Sequence, residues 1–444
     1  MNAKRLEAVW HLAHPAFCLF SKELVRSHKM AGRYLGPMPP RRTLEFSHTG
    51  QVDFSALKNE PVFLYRGISD QDRAVLGIGV HKVLQQPEFG ADGRVDDWVF
   101  GAVRYEWMST SPVAPAHDEA LSFWFVPRFV VEWTGMVVRM HVLEGDEPEA
   151  RDWAAALLRT PRVVHVADPL TWTEQCSREH YLENVRRLLA HIQRGDIYEV
   201  NYCTERTSSA PGFDPYAAFQ RLLDRSKAPF PAFYSNGDEL ALCASPERFL
   251  AIDDDNVIGQ PMKGTRPRSS DAIEDARLAH ELSADHKERS ENIMALDVMR
   301  HDLSRVAASR SVVVDELCAV RSFPNVHQMI STVSATLRAG CSPFDAVQAA
   351  FPMASMTGAP KIRAMGLIQD VEGRSRGLFS GSLGFFAPDG SGDLNVVIRT
   401  VLYDERTSSL SLTTGSAITA SCDPDREWEE CQLKARSVMD ALGS

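Results

Sequence analysis

The 444-residue sequence has no Cys-x-x-Cys pair, no long apolar run, no excess of positive charge and no repeat of fixed period. Each absence excludes a class of protein. The eight cysteines, Cys18, Cys176, Cys203, Cys243, Cys318, Cys341, Cys422 and Cys431, are too widely spaced for a zinc or disulfide framework and suit reduced thiols in the cytosol. Lys and Arg number 48 against 59 Asp and Glu, a net charge of −11. That excludes a general nucleic-acid binder, which needs a basic surface to displace counterions. An anionic ligand must therefore find a local cluster of cations. No segment is apolar for long enough to cross a bilayer, and the start, Met1-Asn-Ala-Lys-Arg-Leu-Glu7, lacks the apolar stretch of a secretory signal. A soluble, cytoplasmic protein with no membrane or nucleic-acid partner is expected. At 44% hydrophobic and 24% charged, the composition is that of a globular protein with ample length for a large core.

Residues 1 to about 165 read as short strand-like runs, such as Pro61-Val-Phe-Leu-Tyr65 and Phe129 to Val142, separated by Gly, Pro and Asp turns. Few side chains there suggest chemistry. The pattern loosens between Ala154 and Thr173, which places a boundary between a structural portion, 1–165, and a catalytic region, 175–444. From Ser177 to Arg194 apolar residues recur at helical spacing until Gly195 stops them, and Ile197 to Tyr202 reads as a strand. One long helical stretch is expected from about Ala272 to Val306, and a last helix from Asp425 to Leu442.

Chemistry concentrates in the catalytic region. Lys263 sits in Gln260-Pro-Met-Lys-Gly-Thr-Arg-Pro-Arg268. A protonated lysine cannot attack, and burial together with Arg266 and Arg268 is expected to push its pKa down and make it a nucleophile. A solvated loop lysine is the alternative. Glu288 and Glu291, and likewise Glu427 and Glu430, are three apart on predicted helices, so each pair shares one face. Brought together, four carboxylates require a cation, and an oxygen-only pocket favours Mg²⁺. Solvated helix faces are the alternative there. A di-iron bundle needs Glu-x-x-His, whereas Met294 and Leu433 stand three beyond Glu291 and Glu430. Lys434, one turn past Glu430, is placed to pair with a ligand carboxylate. Arg399 follows the apolar run Leu394 to Ile398 and suits bidentate carboxylate binding, or an ion pair with a neighbouring acid. Glu247, after the strand-like Glu239 to Ala244, is a candidate general acid if burial raises its pKa. Phe351 to Lys361 ends in Thr-Gly-Ala-Pro before a helix. Its backbone amides are suited to an anion-binding helix start, without the Gly-Lys-Ser/Thr ending of a Walker loop.

In order along the chain, Gly195-Asp-Ile-Tyr-Glu-Val-Asn201, Ser245-Pro-Glu-Arg-Phe249, Pro261 to Arg268, Lys287-Glu-Arg-Ser-Glu291, Phe351 to Lys361, Ile398-Arg-Thr400 and Glu427 to Ala435 resemble the chorismate-utilising enzymes. The resemblance covers residues from about 175 to the end. It implies an α+β fold of two packed antiparallel β-sheets surrounded by helices. The lysine before Gly264-Thr265 resembles the aminodeoxychorismate-forming branch, since the anthranilate- and isochorismate-forming branches usually have alanine there. The isochorismate and salicylate branches also carry a base lysine where this chain has Glu199.

What the resemblance implies is a reaction of chorismate with ammonia. Lys263 attacks ring C2, Glu247 protonates the departing C4 hydroxyl, and ammonia adds at C4 and expels the lysine. The product is 4-amino-4-deoxychorismate, a precursor of 4-aminobenzoate and folate. Glu291 and Glu430 match the direct Mg²⁺ ligands, with Glu288 and Glu427 close by. Gly264, Thr265, Arg399, Lys434 and the loop Gly415-Ser416-Ala417 match substrate contacts. Three positions depart from the family pattern: Ala417 replaces a glycine, Phe385 a tyrosine and Gln328 a histidine. None of the cysteines resembles a glutaminase nucleophile, so ammonia is expected from a separate glutamine amidotransferase subunit. Anthranilate synthesis and a non-catalytic chorismate-binding partner of a glutaminase are the competing readings.

Overall fold

A computed structural model of the chain describes residues 40–47, 62–66, 73–108, 121–134, 137–158 and 169–443. The expected domain boundary falls mostly outside these residues. Two antiparallel sheets meet at the long strands Arg73–Leu84 and Ser122–Thr134, which pair with each other along their length. The first sheet runs outward through Val62–Arg66, Phe230–Ser235, Glu239–Ser245, Thr400–Asp404, Ser409–Thr419 and Glu199–Ser209. The second runs through Val99–Val103, Ser382–Phe386, Ser391–Asn395, Arg248–Asp253, Asn256–Gly259 and Val326–Thr336, which also carries Met262–Pro267 and Val313–Ser322. Phe100, Phe129, Phe233, Leu242, Leu383, Val401 and Leu412 come from both sheets into one buried core. Alternation makes this possible, since every second side chain of each strand faces its neighbour sheet.

The chain passes from the first sheet to the second just after Ser245 and returns just after Asn395. The two crossings are laced together. Ala244 N donates to Arg399 O at 3.2 Å, Val396 N to Glu247 O at 3.1 Å, and Ser245 Oγ to Val396 O at 2.6 Å. Arg399 is therefore not at a strand end but in the crossing itself, with φ of 52°. The segment from Phe351 to Pro360 lies along the start of the Glu199 strand. Gly358 and Ala359 pair with Val200 and Glu199, and Asn201 N donates to Thr357 O. Only glycine fits at 358: its φ is 145°, and a Cβ there would stand 2.2 Å from Glu199 O.

The helices follow their caps. Ser177 caps Arg178–Gln193, and Gly195 ends the element with φ of 81°. The stretch expected as one helix is two, Ala272–Ala284 and His286–Ser304. Asp285 separates them in an extended conformation, and its carboxylate accepts the Lys287 and Glu288 amides. An N-cap inside an apolar-periodic run restarts the helix on a new axis, which periodicity alone does not reveal. The last helix is Pro424–Leu442, capped by Asp423. The run from Phe129 to Val142 is likewise two paired strands, Ser122–Thr134 and Val137–Leu143.

Candidate active site

Lys263 stands on a bulge. Met262 is opposite Ile330 while Thr265 is opposite Gln328, so one strand spends an extra residue on the same rise. Gly264 absorbs the bend with φ of 80°, and a Cβ there would press on Glu288 Oε2 at 2.9 Å. Gln328 satisfies the distorted backbone: its Nε2 donates to Gly264 O at 2.9 Å, and its Oε1 accepts from Thr265 Oγ1 at 3.1 Å. Thus Gln328 braces the lysine's turn.

The bulge aims Lys263 inward, where Nζ donates to Glu199 Oε1 at 2.6 Å. Burial alone favours the neutral amine, but the carboxylates of Glu199, Glu291 and Glu247 outweigh it and raise the lysine's pKa above its ordinary value. This corrects the expectation of a lowered pKa. Arg266 and Arg268 do not act on Lys263 as supposed, because Arg266 pairs with Asp285 at 2.8 Å and Arg268 with Asp275 at 2.8 Å. Glu247 meets the burial condition set for it. Burial raises its carboxyl to about 7, with the Ser355 hydroxyl, Lys263 and the Met262 amide pulling the other way.

The four helix carboxylates come to the same region. Lys287 Nζ lies 3.6 Å from Glu291 Oε1 and 3.1 Å from Glu427 Oε1, while Lys434 Nζ bonds Glu430 Oε1 at 2.6 Å and Gly415 O at 2.8 Å. Desolvation raises Glu291 to about 7 and lifts Glu288 and Glu427 above the usual carboxylate range. At Glu430 the lysines win over burial and lower it. Glu291 Oε1 is buried without a hydrogen-bond partner, as is Thr419 Oγ1. Thr419 is directly opposite Glu199 in the ladder, so the two share a face. The donor set fits a hard cation: it is oxygen-only, over-supplied with negative charge and holds an unpartnered buried carboxylate oxygen. Among the described residues no three acidic, His or Cys side chains are already arranged to hold an ion. Lys287 stands between Glu291 and Glu427 as their present counter-ion.

Other expected residues divide. Gly415 faces Cys203 so tightly that a Cβ would meet its Sγ at 2.4 Å. Ala417, opposite Asn201, lies on that same face. Ser416 points the other way by strand alternation, and its hydroxyl bonds Tyr181 OH at 2.9 Å. Its hydroxyl also acts on Glu427, where it opposes the rise in pKa, so it sits with the helix carboxylates rather than on the Lys263 face. Phe385 is also placed elsewhere: its ring packs in the inter-sheet core at 5.8 Å from Trp98 and 5.9 Å from Phe100. Arg399 donates to Ser437 Oγ at 2.8 Å, and burial lowers its pKa against the pull of Glu430. Lys361 is rooted in the scaffold by Asp302 at 2.5 Å and Ala350 O at 2.8 Å. Sequence reasoning missed Glu199 and Lys287 as partners within the site. The signal for Glu199 was a lone carboxylate in an otherwise apolar strand start.

A family model described as chorismate binding enzyme matches residues 63–440. The chain belongs to this family. Aminodeoxychorismate synthase of Streptomyces griseus is 41% identical over 308 residues, covering 67% of this chain and 42% of that protein. Anthranilate synthase component 1 of Thermus thermophilus is 40% identical over 266 residues, 60% of this chain and 57% of that one. Aminodeoxychorismate synthase component 1 of Klebsiella aerogenes is 36% identical over 300 residues, 67% of this chain and 66% of that one. The chain thus spans less than two thirds of the length of each of these relatives. The solved structure of MenF, an isochorismate synthase of Escherichia coli, superposes with a TM-score of 0.71 at 16% identity, covering 95% of this chain and 98% of that one. That likeness bears on the fold alone.

Proposed function

We propose that the chain converts chorismate and ammonia to 4-amino-4-deoxychorismate. The observation that carries this reading is a buried lysine, Lys263, beside a buried carboxyl, Glu247, that is half protonated near neutral pH. An amine to attack ring C2 and an acid to protonate the departing C4 hydroxyl are the two groups the substitution needs. The bulge at Met262–Thr265 and the crossing at Ser245–Glu247 fix each against the other.

Arg399 and Lys434 supply the local cations that a dianionic substrate needs on a chain of net charge −11. The unpartnered hydroxyl of Thr419 suits a polar ligand. Gly264 and Thr265 orient the lysine, and Gly415 and Ala417 present backbone on the face shared with Glu199. Glu291 and Glu430 would hold Mg²⁺, with Glu288 and Glu427 supporting them. When bound, Mg²⁺ neutralises and orients substrate carboxylate.

The relatives named as aminodeoxychorismate synthases support this branch, and the Klebsiella protein's component 1 name supports a separate subunit supplying ammonia from glutamine. The setting is 4-aminobenzoate and folate synthesis in the cytoplasm. Among the described residues no helix is long and apolar enough to cross a membrane.

The test is product identification by mass spectrometry with chorismate, ammonium and Mg²⁺, using wild type and Lys263→Ala. Aminodeoxychorismate from wild type only is the expected result. Pyruvate and fluorescent anthranilate from wild type point instead to the anthranilate reaction, and no turnover points to a non-catalytic binding subunit. Undiminished turnover in Lys263→Ala removes the lysine mechanism.

A further inference from the structure

Lys263 presents a difficulty for the reaction just proposed. Its Nζ donates to the Glu199 carboxylate at 2.6 Å, and an amine held so as an ammonium has no lone pair with which to attack. Its side chain is 10% exposed, so little solvent is at hand to receive a proton. The carboxylates facing it come from three further elements besides the Glu199 strand: Glu247 from the sheet crossing, Glu288 and Glu291 from helix His286–Ser304, and Glu430 from helix Pro424–Leu442. Glu247 must arrive protonated to serve as the acid. The three helix carboxylates are committed to a cation. Glu199 is the remaining group, and it is the one that touches the amine, at 2.6 Å.

We propose that Glu199 is the proton store of Lys263, taking a proton from Nζ when substrate fills the pocket and returning it when the lysine is expelled. The contact is built rather than incidental. Glu199 has a side chain 4% exposed, and its backbone is fixed by the Ala359 pairing and the Tyr198 N to Ala359 O bond at 2.7 Å. In a pocket dried by substrate, a neutral amine beside a neutral carboxyl avoids burying two charges, so drying itself moves the proton. The steps balance. One Nζ–H bond breaks and its proton goes to Glu199. The amine forms the bond to C2 while the C4–O bond breaks, and Glu247 gives its proton to the oxygen, which leaves as water. Ammonia then bonds to C4 as the C2–N bond breaks and its electron pair returns to Nζ. The new C4 ammonium returns a proton to Glu247, and Glu199 returns its own to Lys263. Glu199 is thus a positioning residue that acts through the lysine.

The proposal rests on Lys263 as nucleophile, and the experiment separates the two. Ammonia-dependent turnover is measured from about pH 6 to about pH 9 for wild type, Lys263→Ala, Glu199→Gln and Glu199→Asp. In Glu199→Gln, kcat is expected to fall about 10²- to 10³-fold near neutral pH with the KM for chorismate within about threefold. Its kcat should climb about tenfold per pH unit below about pH 7 and level off above it, because the lysine must now lose its proton to solvent and the gain in free amine offsets the loss of protonated Glu247, whereas wild type is flat below pH 7. Glu199→Asp should recover part of the rate. Acylation of Lys263 in the substrate-free protein, read by peptide mass spectrometry, should be at least about tenfold faster near neutral pH in Glu199→Gln, since the carboxylate in contact with the ammonium is gone. A Glu199→Gln kcat within about threefold of wild type, a lowered kcat with the wild-type pH profile, or unchanged acylation overturns the proton store alone. Undiminished turnover in Lys263→Ala overturns the lysine mechanism and the store with it.

Discussion

Glu247 carries a proton near neutral pH because burial penalises its anion more than Lys263, Ser355 and the Met262 amide favour it. An acid catalyst works in its protonated form, and with a pKa near 7 that form is lost as pH rises through 7. The kcat of the ammonia-dependent reaction should therefore fall above about pH 7, towards tenfold per unit, and a pH-rate profile checks it. Glu247→Gln should lower kcat about 10²- to 10⁴-fold and abolish that descending limb. Glu247 was legible in the sequence because a carboxyl just after an apolar strand is placed for burial. The charge state of Lys263 was not. Neighbours in sequence, Arg266 and Arg268, suggested a depressed pKa, but strand geometry turns both towards other acids. Glu199, 64 residues away along the chain, sets the field instead.

At the scale of elements, the two acidic helix starts were legible as pairs, since a three-residue spacing fixes a common face whatever the packing. What hid was the break at Asp285, which makes Lys287 and Glu288 first-turn residues of a new helix and brings Lys287 between Glu291 and Glu427. That ammonium competes with any cation for the same carboxylates. Lys287→Met should bind Mg²⁺ at least about tenfold more tightly by calorimetric titration, because the protein no longer supplies its own counter-ion. Equal or weaker affinity would show that Lys287 does not occupy the cation's place. The bulge was equally hidden, because an extra residue in a ladder leaves no mark beyond one glycine. Gly264→Ala must adopt φ of 80° and push a methyl against Glu288 and Leu282, so it should destabilise the protein by about 1–3 kcal/mol in urea unfolding and misaim Lys263.

For the whole molecule, the site exists because two sheets share strands at one end while the chain crosses between them at the other. The α+β class with two sheets was legible from the family motifs, yet strand runs alone do not reveal which strands are shared, since ladder partners lie far apart in sequence. One buried ion pair holds several of these parts. Arg376 binds Glu372 at 2.6 Å with both side chains 1% exposed, and it donates to Asn201 O at 2.9 Å and Met356 O at 2.7 Å. Its guanidinium also lies over the Tyr105 ring at 4.6 Å. Glu372 in turn accepts from Cys203 N at 2.9 Å. Arg376 therefore ties the Glu199 strand, the Phe351–Pro360 segment and the turn after Val99–Val103 into one body. Arg376→Met keeps much of the volume but strands the Glu372 carboxylate, so unfolding free energy should fall by about 3–5 kcal/mol. The double variant Arg376→Met with Glu372→Gln removes the stranded charge and should recover part of that loss, as a double-mutant cycle measures. If the single variant is as stable as wild type, the three parts hold together by apolar packing alone, and the alignment of Glu199 with Lys263 does not depend on this pair.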